Sequence, residues 1–290
     1  MPSSPFTRRQ FLAASAALPA LANGAFAQAA RPNIVFILAD DLGYGNLGCF
    51  GQKRIKTPHL DRMASEGMRF TQAYSGATVC APSRCTLMTG KHTGHATVRG
   101  NSLPELGLKK TEPTVAEILL RSGYRTALFG KWGLGGFDAD SHPNDRGFQQ
   151  FFGYLNQHFA HNSFPEHIWD NKIEMFLKEN WFNQRKVFTN DLFSRKAIEF
   201  VGNQSSAQPF FLYLPYTTPH ANNERGQVDK NGMDAPDFGD YADEGWPDAE
   251  KAFAAIVSRM DADIGRLFAK LKEKGLDENT LVIFSSDNGP

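Results

Sequence analysis

The 290 residues carry 31 basic and 31 acidic side chains, and 41% of the chain is apolar. That is ample for one sizeable core, while zero formal net charge argues against a nucleic-acid binder, which would carry a basic surplus. Three cysteines, Cys49, Cys80 and Cys85, are too few for a disulfide framework; if Cys80 is modified, only Cys49 and Cys85 are left to pair.

Residues 1–30 read as a targeting segment outside the fold. Thr7-Arg8-Arg9-Gln10-Phe11-Leu12 has a twin-arginine pattern, followed by a small-residue apolar run and Ala25-Phe26-Ala27 as an A-x-A cleavage site. The run is too short and too Ala-rich for a membrane span. The expected destination is the periplasm or beyond, reached through the twin-arginine export machinery, which carries folded proteins.

The mature chain opens with a continuous apolar run, Ile34 to Leu38, as expected of a central strand buried on both faces. Asp40 and Asp41 stand at its C-terminal end, the edge where open α/β sheets build sites. Two adjacent carboxylates repel unless a cation lies between them, and oxygen ligands point to calcium or magnesium. Taken alone, the pair reads first as a turn with solvated carboxylates. Thr57-Pro58 reads as a helix start, with His59 part of that turn rather than a ligand. A strand is expected near Met68 to Tyr74. Val79 to Gly90 then reads as a short helix with Pro82 in its first turn and Gly90 at its end. Cys80 would sit at the helix start, where free N–H groups and the dipole favour an anion; a buried structural cysteine is the bland alternative.

Thr114 to Arg121 reads as a second capped helix and Tyr124 to Phe129 as a strand, followed by Gly130-Lys131-Trp132-Gly133. Lys131 thus falls at a strand end, where its charge would stabilise an anion, although most lysines are simply on the surface. Residues 137 to 185 are irregular and rich in aromatics and His, including Phe148, His158, His161, Phe164, His167 and Trp169. Such rings either stack on a sugar or aryl substrate or pack locally under an insertion. Asn190 to Val201 looks helical, and Pro209 to Tyr216 is a further apolar strand ending in Thr217-Thr218-Pro219-His220. Ala221 to Gly245 reads as a polar loop at the rim. Asp248 to Lys274 is the clearest helix, with apolar residues at helical spacing. Thr280 to Ser286 is a last strand, followed by Asp287-Asn288-Gly289, which in isolation is a turn. The strand–helix alternation predicts a largely parallel sheet with helices on both faces.

Five motifs recur here in a fixed order: Asp40-Asp41, Cys80-x-Pro82-Ser83-Arg84, Gly130-Lys131-Trp132, Pro219-His220 and Asp287-Asn288-Gly289. Together they resemble the sulfatase family, of the arylsulfatase A and N-acetylgalactosamine-6-sulfatase type, within the alkaline-phosphatase superfamily. The resemblance covers essentially Arg31 to Pro290. It implies an alkaline-phosphatase-like α/β fold in which residues 31–290 form the N-terminal portion of a catalytic domain. It also implies hydrolysis of sulfate monoesters of an aryl compound or carbohydrate. In that family the motif cysteine, here Cys80, is converted to formylglycine by a formylglycine-generating enzyme before folding. One calcium ion would be held by Asp40, Asp41, Asp287, Asn288 and the modified Cys80, with Arg84 and Lys131 on the sulfate and hydrate, and His220 protonating the leaving oxygen.

Two departures stand out. Gly133 occupies a position where many sulfatases carry a histidine assigned to sulfate release. Family members also continue beyond the Asp-Asn-Gly motif, so the C-terminal part of the family fold is missing and the chain as it stands is expected to be poorly stable. Phosphate or phosphonate ester hydrolysis on the same fold, or calcium-dependent binding of sulfated glycans without turnover, are the alternatives.

Overall fold

The computed structural model describes residues 31–101, 106–136 and 140–290; the export signal expected in residues 1–30 lies outside the described residues. An apolar run with no polar side needs neighbours at its edges, which the sheet supplies, and cover above and below, which helices supply. The strands are β1 (Asn33–Ala39), β2 (Arg125–Lys131), β3 (Gln150–Tyr154), β4 (His167–Asp170), β5 (Ile173–Phe176), β6 (Phe210–Pro215) and β7 (Thr280–Ser286). They form one sheet in the order β5-β4-β3-β2-β6-β1-β7. From β3 to β7 all neighbours are parallel, whereas β4 and β5 are antiparallel. β1 lies between β6 and β7, with Ile34 opposite Phe211 on one side and Leu281 on the other.

The helices are α1 (Pro58–Glu66), α2 (Cys80–Thr89), α3 (Val115–Arg121), α4 (Thr189–Gly202), α5 (Asn223–Asp229) and α6 (Asp248–Glu273). Alternate residues of β1 point to opposite faces. Val35, Ile37 and Ala39 join one cluster with Phe193, Ala197 and Val201 of α4 and Val257, Met260 and Ile264 of α6. Leu38, with Ile34 and Phe36, joins a second with Cys85 and Met88 of α2 and Ala116 of α3. Each fully buried aliphatic or aromatic side chain contributes roughly 1.5–3 kcal/mol, so these two layers fix the strand ends that carry the site. α3 starts with a capping box, Thr114 Oγ1 accepting from Glu117 N and Glu117 from Thr114 N. α6 has Asp248 and Glu250 in its first turn and Lys270 and Lys272 in its last, in line with its dipole.

The alternation at residues 68–74 does not become a strand. Residues 68–79 carry no helix or strand, with Met68, Phe70 and Tyr74 exposed. Pairing is decided by free edges, and β1 and β6 are already flanked on both sides. Residues 221–245 are also more ordered than a polar loop. They contain α5, capped by Asn222 Oδ1 on Arg225 N, and Asp234, which is buried and paired with Arg185 and Arg225. Cys49 and Cys85 are free thiols.

Candidate functional site

Four neighbouring parallel strands, β2, β6, β1 and β7, end on the residues singled out from the sequence. At about 4.8 Å per strand, four adjacent ends span about 14 Å, close enough for the side chains they carry to meet. Backbone hydrogen bonds stitch these ends together: Asp40 N to Thr218 O at 3.0 Å and Asp287 N to Ala39 O at 3.1 Å. Asp41 has a left-handed backbone, φ 61°, a conformation that costs a non-glycine residue energy and is concentrated at functional positions.

α2 delivers the remaining groups. Cys80 is its first residue, after an extended Val79, and Arg84 follows one helical turn later on the same face. Gly90 ends the helix in the left-handed region, its N–H on Thr86 O. Arg84 is fully buried. Its Nε and Nη2 reach Asp287 Oδ2 at 3.0 and 2.8 Å, its Nη1 donates to Lys131 O at 3.0 Å, and its Nη2 lies 3.2 Å from Asp40 Oδ1. Lys131, equally buried, donates to Asp40 Oδ2 at 2.7 Å. Cys80 Sγ is 4.0 Å from Asp41 Oδ1, and His220 Nε2 is 3.4 Å from Asp41 Oδ2. Asp41 N donates to Asp287 Oδ1 at 3.2 Å, and Asn288 Nδ2 donates to Asp41 Oδ1. All eight proposed site residues are therefore at one place.

The electrostatics follow from burial and pairing. Burial works against the charge of Asp40, but Lys131, Arg84 and His220 outweigh it and hold the carboxyl well below the usual range. Asp287 is pushed up to about 7, by burial first and by the charge of Asp40 second. Burial, reinforced by Asp40, pushes the Cys80 thiol up to about 12. An unmodified Cys80 would thus be a neutral thiol and a poor nucleophile at physiological pH.

Three carboxyl groups, Asp40, Asp41 and Asp287, stand here beside two permanent cations among the described residues, Arg84 and Lys131. Asn288 Oδ1 is buried and accepts no hydrogen bond, and Asp40 Oδ1 has the ion pair with Arg84 but no hydrogen bond. Donor atoms of Asp40, Asp41, Cys80 and His220 lie within 4.8 Å of one another. Oxygen donors, three carboxyl groups among them, and an orphaned buried acceptor fit a hard divalent cation. His220, expected at the site from its place after a strand, is close enough to join that cluster.

Several residues near the site escape sequence reasoning. Ser83 donates to Asp287 O, and Asn101 Oδ1 accepts from Ala81 N in the first turn of α2 at 3.0 Å. His161 stacks on His220, ring centroids 4.5 Å apart and planes 15° from parallel. Burial, then the charges of His220 and Lys131, push its imidazole down to about 4. A Cβ at Gly133 would lie 2.9 Å from Gln157 Oε1, 3.6 Å from Arg84 Cδ and 3.7 Å from Lys131 Cε. That position faces the cationic pair, and the buried Gln157 occupies its space. The aromatics of 148–169 do pack on one another, Phe159 on His167 at 4.5 Å for example. They also line a cavity of about 310 Å³ with Leu155, Asn156, Phe159, His167 and Trp169.

The mostly parallel sheet, with helices on both faces and acidic, basic and thiol groups at its C-terminal edge, defines an alkaline-phosphatase-like α/β protein. A sequence model described as Sulfatase matches residues 32–290. The chain is 33% identical over 300 residues to N-acetylgalactosamine-6-sulfatase of Mus musculus, covering 97% of this chain and 54% of that protein. It is 31% identical over 323 residues to an arylsulfatase of Klebsiella aerogenes, covering 93% and 68% respectively. Among solved structures, Ps i-CgsB in complex with k-i-k-neocarrahexaose is similar with a TM-score of 0.70 at 29% identity, covering 89% of this chain and 59% of that one. The chain belongs to the sulfatase family. It spans about half the length of the N-acetylgalactosamine-6-sulfatases it matches.

Proposed function

We propose that residues 31–290 carry the reacting centre of a sulfatase that hydrolyses sulfate monoesters of a carbohydrate or aryl alcohol. The observation that supports it best is the buried Arg84–Lys131 pair beside Cys80, two fixed cations aimed where a sulfate group would sit, with a thiol too basic to act as it stands. The relatives' names, N-acetylgalactosamine-6-sulfatase and arylsulfatase, and the carrahexaose bound to Ps i-CgsB support the substrate class. The aromatic-lined cavity offers a face for a sugar or aryl ring.

Conversion of Cys80 to a hydrated formylglycine would supply one hydroxyl as nucleophile and a second whose deprotonation releases inorganic sulfate. Asp40, Asp41, Asp287 and Asn288 would hold one calcium ion, which offsets the carboxylate charge and polarises the bound anion. Arg84 and Lys131 orient the sulfate and stabilise charge that grows in the transition state. His220 gives a proton to the oxygen leaving sulfur. The partners are a sulfated small molecule or glycan, a formylglycine-generating enzyme and the twin-arginine export machinery. Residues 1–30 would direct the protein to the periplasm or outside the cell.

The test is the tryptic peptide Phe70–Arg84 from protein co-expressed with a formylglycine-generating enzyme, followed by sulfate release from an aryl sulfate and a sugar sulfate. An aldehyde at position 80 with turnover is expected; an intact thiol despite an active maturase would sink the proposal. A phosphonate monoester hydrolysed in preference to both sulfates would move the site to the other esterase class.

The cation is tested without reference to activity. Calcium added to chelated protein at about a hundred times its dissociation constant should raise unfolding free energy by about 3 kcal/mol, read as a higher Tm. Asp41→Asn should abolish most of that rise. An unchanged Tm on adding calcium would remove the ion from the site.

A further inference from the structure

Histidine at a strand end is held only as well as its loop holds it. His220 lies in the irregular segment after β6, yet its ring is fixed on three sides. Its Nδ1 meets the carbonyl oxygen of Ala221, which as an acceptor requires that nitrogen to carry the proton. Its Nε2 faces Asp41 Oδ2 at 3.4 Å. Its face is covered by the parallel ring of His161 at 4.5 Å.

His161 is in turn anchored. It is buried at 7% exposure, and its Nδ1 lies 3.2 Å from both carboxylate oxygens of Glu224. A carboxylate only accepts, so His161 Nδ1 donates and the ring cannot swivel without breaking that bond. Glu224 sits in the first turn of α5, with its side chain 60% exposed. A chain of contacts therefore runs from the surface helix to the ring beside Asp41. At Gly133 there is no imidazole, and Gln157 fills the space. Of the three contacts on the His220 ring, the stacked one is made by His161.

We propose that His161, tethered by Glu224, is a positioning residue that holds the His220 imidazole in line with the leaving oxygen. The role rests on the sulfatase function proposed above. It explains why an imidazole is buried against another imidazole, where an aliphatic residue would fill the space without needing a partner. A misaligned proton donor matters in proportion to how much the leaving group needs the proton. A nitrophenolate leaves unaided, whereas a sugar alkoxide does not.

The experiment compares 4-nitrophenyl sulfate with a monosaccharide 6-sulfate, using the mature protein and its His161→Ala, His161→Phe and Glu224→Ala variants. His161→Ala should lower kcat on the sugar sulfate by about 100-fold and on the aryl sulfate by no more than about 3-fold, with KM little changed. Glu224→Ala, altering an exposed side chain, should show the same bias at about 10-fold. His161→Phe, which keeps a ring on the stack and loses the tether, should match Glu224→Ala. Equal losses on the two esters, or no loss for Glu224→Ala and His161→Phe, would overturn the positioning role while leaving sulfatase function intact. Failure of the unaltered mature protein on every sulfate ester would overturn the function itself and the role with it.

Discussion

Replacing Cys80 with serine is expected to cut steady-state sulfate ester hydrolysis at least about ten-thousand-fold, the scale on which a lost nucleophile is felt. A serine at the start of α2 would still lie within reach of Asp41 and in line with Arg84, so transfer of one sulfate remains possible. The serine oxygen has no second hydroxyl beside it, however, and no proton whose loss would break the new C–O–S linkage at carbon. Sulfate once taken stays on the protein. A pre-steady-state assay with 4-nitrophenyl sulfate should therefore show at most one equivalent of nitrophenol per protein and then nothing. Cys80→Ala should show no burst at all. Sustained turnover by the serine variant would mean that the chemistry does not pass through a group made from Cys80.

Arg84→Ala is the substitution with the largest expected effect on stability. Arg84 is the partner of Asp287 Oδ2 through two nitrogens and lies within 3.2 Å of Asp40. Burial opposes its charge, but those two carboxylates hold it firmly protonated. Removing it leaves two buried carboxylates with Lys131 as the one permanent cation within reach among the described residues, and stripping one partner from a buried pair costs about 3–5 kcal/mol. For a domain of this size that lowers Tm by about 10 °C, and calorimetry of the purified variant would read it. Arg84→Lys keeps the charge but cannot reproduce a planar fork that meets Asp287, Asp40 and the Lys131 carbonyl together. It should recover part of the stability and little of the activity. A variant Arg84→Ala with unchanged Tm would show that the cluster contributes nothing to folding.

Much of this site is legible in the sequence because four of its strands are continuous apolar runs with a polar motif directly behind them. Ile34 to Leu38 and Thr280 to Ser286 need no context to be recognised as strands, and Asp40 and Asp287 follow at once. The residues after position 137 are different. β3, β4 and β5 are four or five residues long, with a 3-10 turn between β3 and β4 and a tight turn between β4 and β5, too brief for a period of two to stand out. α5 contains Gly226 and no apolar repeat, so Glu224 looks like loop. His161 stands among other histidines and aromatics, and only the return of the chain after β6 brings His220 against it. The stretch Met68 to Tyr74 misleads for the converse reason: its pattern suits a strand, but it pairs with none of the seven strands of the described sheet.

β7 forms one rim of the described sheet, with Leu281 about half exposed and most of its neighbours only partly covered. That lightly covered strand carries Asp287, the carboxylate that Arg84 grips most closely, and Asn288. Any local opening of that strand would break the Arg84 ion pair and withdraw two oxygen donors in one event. By mass action, whatever binds only the assembled cleft adds its binding free energy to the docking of that rim. Cation and substrate would then serve as rivets of the sheet as well as participants in the chemistry.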